Sequence, residues 1–414
     1  MAAKTPPAVT MLHTSDWHIG KTIRGLSRAD EHRAALAEVG EMARANSVNL
    51  VVVAGDLFET SAPTAESEAI AWDALLDLAD AAGTVVVIAG NHDNPRRLDA
   101  LRKLAKLGNI HVVAEPRRPE DGGVIQLDLD GTRVDVAALP FVSKRGIIRA
   151  DQLMHDEAYE HQGAYADRVR SILETLDAAS DDDAIRIIAA HGFVLGGGAG
   201  GGERPAHLAD DYAIPAQVFP TGANYVALGH LHNAQKIPGP TAIHYSGSLL
   251  QLDFGDHNIT KSVSVVALTP GAPAAVTVVP ITRGRPLRTL TGTLDELRAL
   301  DVGDEWLRVR VNEARRSDLA DEVRAIFGER CVDVFVEAAD VVTETRRARE
   351  MIATRTPSQL YGDYLESLGI EDPALIALFD ELAHVVDSNP DDHEDVALDG
   401  GGQNATVARD GGGD

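Results

Sequence analysis

From Val9 to about Ile281, short apolar runs alternate with amphipathic stretches. The runs Val9–Thr14, Leu50–Ala54, Thr84–Ala89, Ile185–Ala190 and Tyr225–Leu228 are rich in β-branched and small apolar residues, as expected of strands buried on both faces. Three helices are predicted beside the first of these runs. One spans Ala29–Ala45, with Leu36, Val39 and Met42 on one face. A second starts near Pro63 and is expected to bury Trp72, Leu75, Leu76 and Ala79. The third has Asn94 as its cap, Pro95 in the first turn, a Leu98, Leu101, Leu104 stripe and Gly108 as terminator. Further along, the pattern turns strand-rich over Val124–Leu129, Thr132–Ala138, Ala242–Ser246, Ser262–Leu268 and Ala275–Ile281. An α/β fold of two packed sheets flanked by helices, occupying 9–281, accounts for this order.

The pattern then changes. Arg283–Glu337 reads as a small β-α-β-α-β unit, with a capping box at Thr293 and Glu296 and with Leu307, Val309 and Val311 alternating with Arg308 and Arg310. Two short helices with similar start signals follow. Thr356-Pro357 opens one that buries Leu360, Tyr361, Tyr364 and Leu365 and stops at Gly369. Asp372-Pro373 opens the other, which carries Leu375, Ile376, Phe379 and Leu382. The Gly/Asp-rich tail, 387–414, is expected to be disordered.

Composition narrows the class. A chain of 414 residues with 44% hydrophobic and 25% charged content can build two or three globular domains. No run approaches the length of a membrane span or a secretory core, so a cytoplasmic location is the expectation. The single cysteine, Cys331, excludes an intrachain disulfide framework and a cysteine-based zinc site. A formal charge of −26 argues against holding nucleic acid by bulk electrostatics. The acidity is uneven: residues 387–414 carry eight acidic residues against Arg409, whereas 283–355 holds 14 Arg and 15 acidic residues. A polyanionic substrate would therefore need local arginines, bound cations or a partner.

Chemistry concentrates at the predicted strand ends. Asp16-Trp17-His18, Gly55-Asp56, Gly90-Asn91-His92-Asp93, His191-Gly192 and Gly229-His230-Leu231-His232 each follow one of the five apolar runs. Side chains at the tips of neighbouring strands converge without the blur of loop entropy. Carboxylate, imidazole and amide donors without thiolates suit Mn²⁺ or Mg²⁺. Two such ions need a bridging ligand, and a carboxylate supplies one. The expected division gives one ion Asp16, His18, Asp56 and His232, and the other Asp56, Asn91, His191 and His230. His92 is assigned as proton donor to a departing alkoxide, with Asp93 orienting its ring. His13, His111, His155, His161, His207 and His257 are read as structural or solvated. Gly196–Gly202 lacks the Lys-Ser/Thr of a phosphate loop and reads as a mobile flap. Lys21 is read as a solvated lysine, with contact to a substrate phosphate as the alternative.

These signatures resemble the calcineurin-like metallophosphoesterase superfamily, whose pattern is Asp-x-His, Gly-Asp, Gly-Asn-His-Asp/Glu, His and Gly-His-x-His. Thr14–Lys21, Gly55-Asp56-Leu57-Phe58 and Tyr245-Ser246-Gly247-Ser248 further resemble DNA-repair nucleases of the SbcD type. The resemblance runs from about Met11 to Val386. It implies the two-sheet β-sandwich flanked by helices, a small α+β capping domain at 283–340, and a C-terminal helix pair at 356–386 that docks on an SbcC-type ATPase. It further implies an Mn²⁺-dependent 3′-to-5′ double-strand exonuclease that also cuts single strands and hairpins, working in DNA repair, recombination and replication as a dimer within a heterotetramer. Glu59 stands where archaeal and eukaryotic relatives carry a second functional histidine, so no proton-transfer role is assigned there. Two alternatives share the fold: a phosphoesterase for small molecules or cyclic nucleotides, which would not need the last 130 or so residues, and a non-catalytic scaffold, which would have shed ligands.

Overall fold

The computed structural model describes residues 9–154, 165–181, 183–200, 203, 212–256, 259–336, 361–362, 364–365 and 372–379. They fall into two compact units, Met1–Ala339 and Asp340–Asp414.

The first unit opens with strand β1 (Val9–Thr14), the ribbon strands β2 (Thr22–Ile23) and β3 (Leu26–Ser27), and helix α1 (Ala29–Ala45). It continues through β4 (Leu50–Ala54), α2 (Ala65–Ala82), β5 (Val85–Ile88), α3 (Pro95–Ala105) and β6 (Ile110–Val113). Then come β7 (Val124–Leu129), β8 (Thr132–Leu139), α4 (Lys144–Met154), α5 (Tyr165–Asp177), β9 (Ile185–His191) and β10 (Tyr225–Gly229). Four strands complete the large body: β11 (Gln235–Ile237), β12 (Ile243–Tyr245), β13 (Ser262–Leu268) and β14 (Ala275–Pro280). Among the described residues they form two six-stranded sheets, ordered β14-β13-β1-β4-β5-β6 and β11-β12-β10-β9-β8-β7.

Alternation along each strand explains the layering. Met11, Val52, Val86 and Ile88 of the first sheet meet Val136, Ile187, Ala189 and Ala227 of the second in one core. The opposite face of the first sheet, with Leu12, Val51, Val53 and Val87, packs on α1 and α2. The outer face of the second, with Ile188, Val226 and Leu228, packs on α4 and α5. Both faces of each central strand are thus dry, and the runs read as continuously apolar. His13 lies in this interior, 3.0 Å from the Tyr225 hydroxyl. His111 is half-buried, while His155, His161, His207 and His257 lie outside the described residues.

Two helical registers differ from expectation. On α2 the buried face carries Ile70, Ala71, Leu75 and Leu78, and Leu76 is 53% exposed. On α3 Asn94 caps as expected, accepting from Arg97 N, but Leu104 is 65% exposed. The chain tightens into a short 3-10 turn at Lys106–Gly108, and Asn109 takes the left-handed conformation. By spacing, leucines one turn apart make a single stripe, whereas a sheet accepts only part of a helix's circumference.

A three-stranded parallel sheet, ordered β15 (Leu287–Gly292), β16 (Trp306–Val311) and β17 (Cys331–Val336), follows with its crossover helices α6 (Leu294–Arg298) and α7 (Leu319–Phe327). It has its own core of Leu290, Leu297, Leu307, Val309, Val323 and Phe327, and the capping box at Thr293 and Glu296 is formed. Glu31, in the first turn of α1, joins this sheet to the large body. Its carboxylate accepts from Trp306 Nε1 at 2.9 Å, Arg285 N at 2.7 Å and the fully buried Arg28 at 2.8 Å. The Arg308 guanidinium lies 4.2 Å over the Phe254 ring and 3.8 Å from Asp333. Arg310 is half-buried.

In the second unit, 361–362, 364–365 and 373–379 are helical. The Tyr361 ring stacks on Phe379 at 4.4 Å, and Asp372 Oδ1 accepts from Ala374 N at 2.9 Å, an N-cap arrangement. Tyr364, expected to be buried, is 57% exposed. Leu360, Gly369, Leu382, most of 337–371 and the tail 387–414 lie outside the described residues. Among the described residues, no helix is long and apolar enough to cross a membrane.

Candidate metal centre

Five parallel strands deliver the candidate side chains. In the first sheet β1 pairs with β4 and β4 with β5; in the second β9 pairs with β10. The ends of these strands are stitched together across the sandwich. His191 Nδ1 donates to Ala54 O at 2.8 Å, Asp16 N to Gly55 O at 2.9 Å, and His230 N to Asp16 Oδ1 at 3.0 Å.

Close approach of these turns dictates the glycines of the motifs. A Cβ on Gly90 would overlap the Asp56 carboxylate, and one on Gly229 would overlap the Ala54 carbonyl. The candidate ligands themselves are strained. Asp16, His18, Asp56 and His230 have φ of 52°, 48°, 54° and 110°. Non-glycine residues rarely adopt such values, and when they do, a surrounding structure holds them there, often at functional sites.

The seven residues expected as ligands form one cluster. Asp16, His18 and His232 present ligand atoms within 4.8 Å of one another, as do Asp16, Asp56 and His191. His18 Nε2 lies 3.1 Å from His232 Nε2 and 3.7 Å from Asp56 Oδ2. On the other side, Asn91 Oδ1 is 3.0 Å from His191 Nε2 and 2.9 Å from His230 Nδ1, while Asp56 Oδ2 is 3.4 Å from His191 Nε2. Asp56 therefore stands between a His18 group and a His191 group. Asp16, His18, Asp56, His191, His230 and His232 are all buried. Phe141 walls the second group, edge-on to His191 at 6.3 Å and stacked on His230 at 6.5 Å.

The electrostatics call for positive charge. Burial pushes the Asp16 carboxyl up to about 6, although His191 and His232 draw it back. Burial also opposes ionisation of Asp56, but the neighbouring His191 and His18 imidazoles outweigh it and hold Asp56 well below the usual carboxylate range. Burial would strip the proton from His191, yet Asp56 and Asp16 hold it up to about 9. Burial takes His18 down to about 3 against the pull of Glu59. Two nearly water-free carboxylates surrounded by ring nitrogens and an amide oxygen are a donor set for divalent cations, and the residues present fit a pair of them.

Three expectations meet other contacts in the structure. The Asp93 carboxylate accepts from Leu57 N, Phe58 N and Gly90 N at 3.3, 3.1 and 2.9 Å. Burial, reinforced by the Asp56 charge, pushes that carboxyl up to about 7. His92 is instead held through Nδ1 by the Glu59 carbonyl at 2.7 Å. Lys21 is paired rather than simply solvated, its Nζ lying 2.7 Å from Glu59 Oε1. The described part of the glycine run is tied down rather than loose. Gly198 exchanges hydrogen bonds with the Gln235 side chain at 2.8 and 2.7 Å, and Gly200 N donates to Glu203, which also accepts from His232 N.

Sequence reasoning missed the supports of the cluster. Glu59 Oε2 lies 2.9 Å from His18 Nδ1. Ser15 donates to Asp16 Oδ2 at 2.5 Å and lies 2.8 Å from Ser246 Oγ. Buried Lys261 donates to His232 O at 2.9 Å. The Tyr245 hydroxyl donates to Gly192 O at 2.6 Å and accepts from Val194 N at 2.8 Å, fixing the turn after His191. Tyr245-Ser246 thus has a structural function that its sequence context alone did not reveal.

The calcineurin-like phosphoesterase family matches residues 9–234, which contain all seven cluster residues. The SbcD component of nuclease SbcCD from Bacillus subtilis is 31% identical over 392 residues, covering 91% of this chain and 98% of that protein. The chain belongs to the calcineurin-like phosphoesterases, in the SbcD group. The SbcD proteins of Rhodobacter capsulatus and Escherichia coli K12 are 34% and 28% identical, over 70% and 83% of this chain and 75% and 86% of theirs. The match to the Bacillus protein extends well beyond the two-sheet body, so membership rests on more than the metal cluster.

Proposed function

We propose that this chain is the catalytic subunit of a metal-dependent DNA nuclease that works with an SbcC-type ATPase. The observation that carries the reading is the convergence of Asp16, His18, Asp56, Asn91, His191, His230 and His232 into one cluster, with Asp56 in reach of both His18 and His191. His18, Asp16, Asp56 and His232 would hold one ion, and Asp56, Asn91, His191 and His230 the other, with Mn²⁺ the preferred metal and Mg²⁺ a substitute. When bound, such a pair supplies a nucleophilic water and charge neutralisation for in-line displacement at phosphorus. His92, outside the proposed ligand set and with Nδ1 2.7 Å from Glu59 O, would protonate the leaving oxygen through Nε2.

The proposed reaction is 3′-to-5′ cutting of duplex ends and cutting of single strands and hairpins, in DNA repair, recombination and replication in the cytoplasm. The segment 283–340, which holds the small sheet Leu287–Val336, acts as a cap for the site, and 356–386 docks on the ATPase. A partner that contributes DNA affinity answers the −26 formal charge. The test is cleavage of end-labelled linear duplex and hairpin DNA by the purified chain with Mn²⁺, with and without the ATPase and ATP. Shortening from 3′ ends and opened hairpins, both abolished by EDTA, are expected. Turnover of nitrophenyl phosphoesters with DNA left intact would favour a small-molecule phosphoesterase.

A homodimer within a heterotetramer completes the reading. Leu76 on α2, Leu104 on α3 and Leu107 just after it are 53%, 65% and 84% exposed, and Leu76 lies against Gly108, so these leucines are the proposed contact of the dimer. Exposed apolar patches mark association surfaces. Light scattering should give twice the mass of one chain, and the double substitution Leu104→Asp, Leu107→Asp should return it to one. A wild-type monomer at micromolar concentration contradicts the dimer.

A further inference from the structure

Glu59 touches both of the imidazoles whose orientation matters most to the reaction proposed above. Its carboxylate Oε2 lies 2.9 Å from His18 Nδ1, and its own carbonyl lies 2.7 Å from His92 Nδ1. The two rings meet edge to face at 4.7 Å. An imidazole that gives its Nδ1 proton to an acceptor presents a lone pair at Nε2, and for His18 that atom points at Asp56 and His232.

The rest of the local structure holds this side chain in place. Lys21 Nζ grips the other carboxylate oxygen, Oε1, at 2.7 Å. Lys21 N donates to His18 O at 2.9 Å, so lysine and histidine belong to one tight turn. Glu59 N donates to Ile19 O at 3.1 Å, which ties the main chain of residue 59 to the same segment. The Glu59 and Lys21 side chains are 22% and 23% exposed, so each is mostly covered yet reachable from solvent. The result is a closed triangle, Lys21–Glu59–His18, with His92 hung from its main-chain corner.

We propose that Glu59 is a positioning residue that sets the His18 tautomer for metal binding, that Lys21 serves to hold its carboxylate, and that the same residue's carbonyl aligns His92. The proposal rests on the two-ion reading given above. It departs from a proton-transfer function at this position, because the Glu59 carboxylate is occupied by His18 and Lys21.

The test combines calorimetric titration of Mn²⁺ into the full-length chain with ¹⁵N NMR of the histidine-labelled, metal-free protein. Glu59→Ala should weaken one of the two ions roughly tenfold to a hundredfold, leave the other within a few-fold, and remove the Nδ1–H signature of His18. Glu59→Gln, which keeps an acceptor oxygen and guards against misfolding, should recover part of the affinity. Lys21→Ala should produce a smaller loss at the same ion, with the KM for an oligonucleotide unchanged and kcat reduced. Glu59→Ala with wild-type affinity for both ions and an unchanged His18 tautomer would overturn the proposal, as would equal losses at both ions. A wild-type chain that binds no Mn²⁺ or leaves DNA intact would fail the nuclease reading instead, and the metal-free tautomer would still judge Glu59.

Discussion

Asp56→Asn should leave the chain folded and take both metal ions with it, lowering phosphodiester hydrolysis by about 10³-fold or more. Asn is chosen because the backbone at residue 56 sits at φ 54°, which Asn tolerates better than most residues. Its amide can also keep the hydrogen bond that Asp56 Oδ1 now accepts from His92 N at 2.8 Å. What it cannot keep is the charge. Asp56 Oδ2 lies 3.7 Å from His18 Nε2 and 3.4 Å from His191 Nε2, so this oxygen reaches both halves of the cluster. Losing it should cost affinity at both, whereas a change in a histidine of one half should cost mainly that half. Metal content after gel filtration, alongside the unfolding midpoint, checks this. Retention of two ions per chain would remove Asp56 from the bridging position.

His92→Ala should do the opposite: keep both ions and lose about 10²- to 10⁴-fold in turnover on DNA. His92 is buried beside the cluster but directs Nδ1 to the Glu59 carbonyl rather than to a ligand position. Its proposed task is to give a proton to a departing sugar oxygen, a strongly basic leaving group. A nitrophenolate leaves without that proton. The same variant should therefore lose far less activity on a bis-nitrophenyl phosphodiester, and the ratio of the two losses measures the proton donation itself. Equal losses on both substrates, or metal depletion as severe as in Asp56→Asn, would place His92 among the supports of the centre instead.

Much of the architecture was legible because burial on two faces leaves a strong mark. β1, β4, β7 and β13 have the bounds that the apolar runs Val9–Thr14, Leu50–Ala54, Val124–Leu129 and Ser262–Leu268 predict. The capping box of α6 and the alternation of Leu307, Val309 and Val311 likewise follow from local rules. The expected ligands were visible because each lies within a few residues of the end of such a strand, where polar side chains break off an apolar run.

What stayed hidden depends on contacts between distant residues. Leu76 and Leu104 look like core leucines by spacing, and only the angle at which a helix meets the sheet shows that they face outward. Asp93 sits next to His92 in sequence, yet the turn aims its carboxylate at the amides of Leu57, Phe58 and Gly90. Glu59 lies 41 positions from His18, and no periodicity links an acidic loop residue to a histidine at that distance. Arg308 alternates with apolar residues along its strand, and nothing local shows that Phe254, 54 positions earlier, lies 4.2 Å under its guanidinium.

The most direct test of the paired-ion centre is anomalous diffraction at the manganese edge from crystals of this chain grown with Mn²⁺. Two peaks about 3.5–4 Å apart, with the Asp56 carboxylate between them, His18 and His232 on one and Asn91, His191 and His230 on the other, are the predicted result. A single peak, or ions bound away from Asp56, would contradict the account.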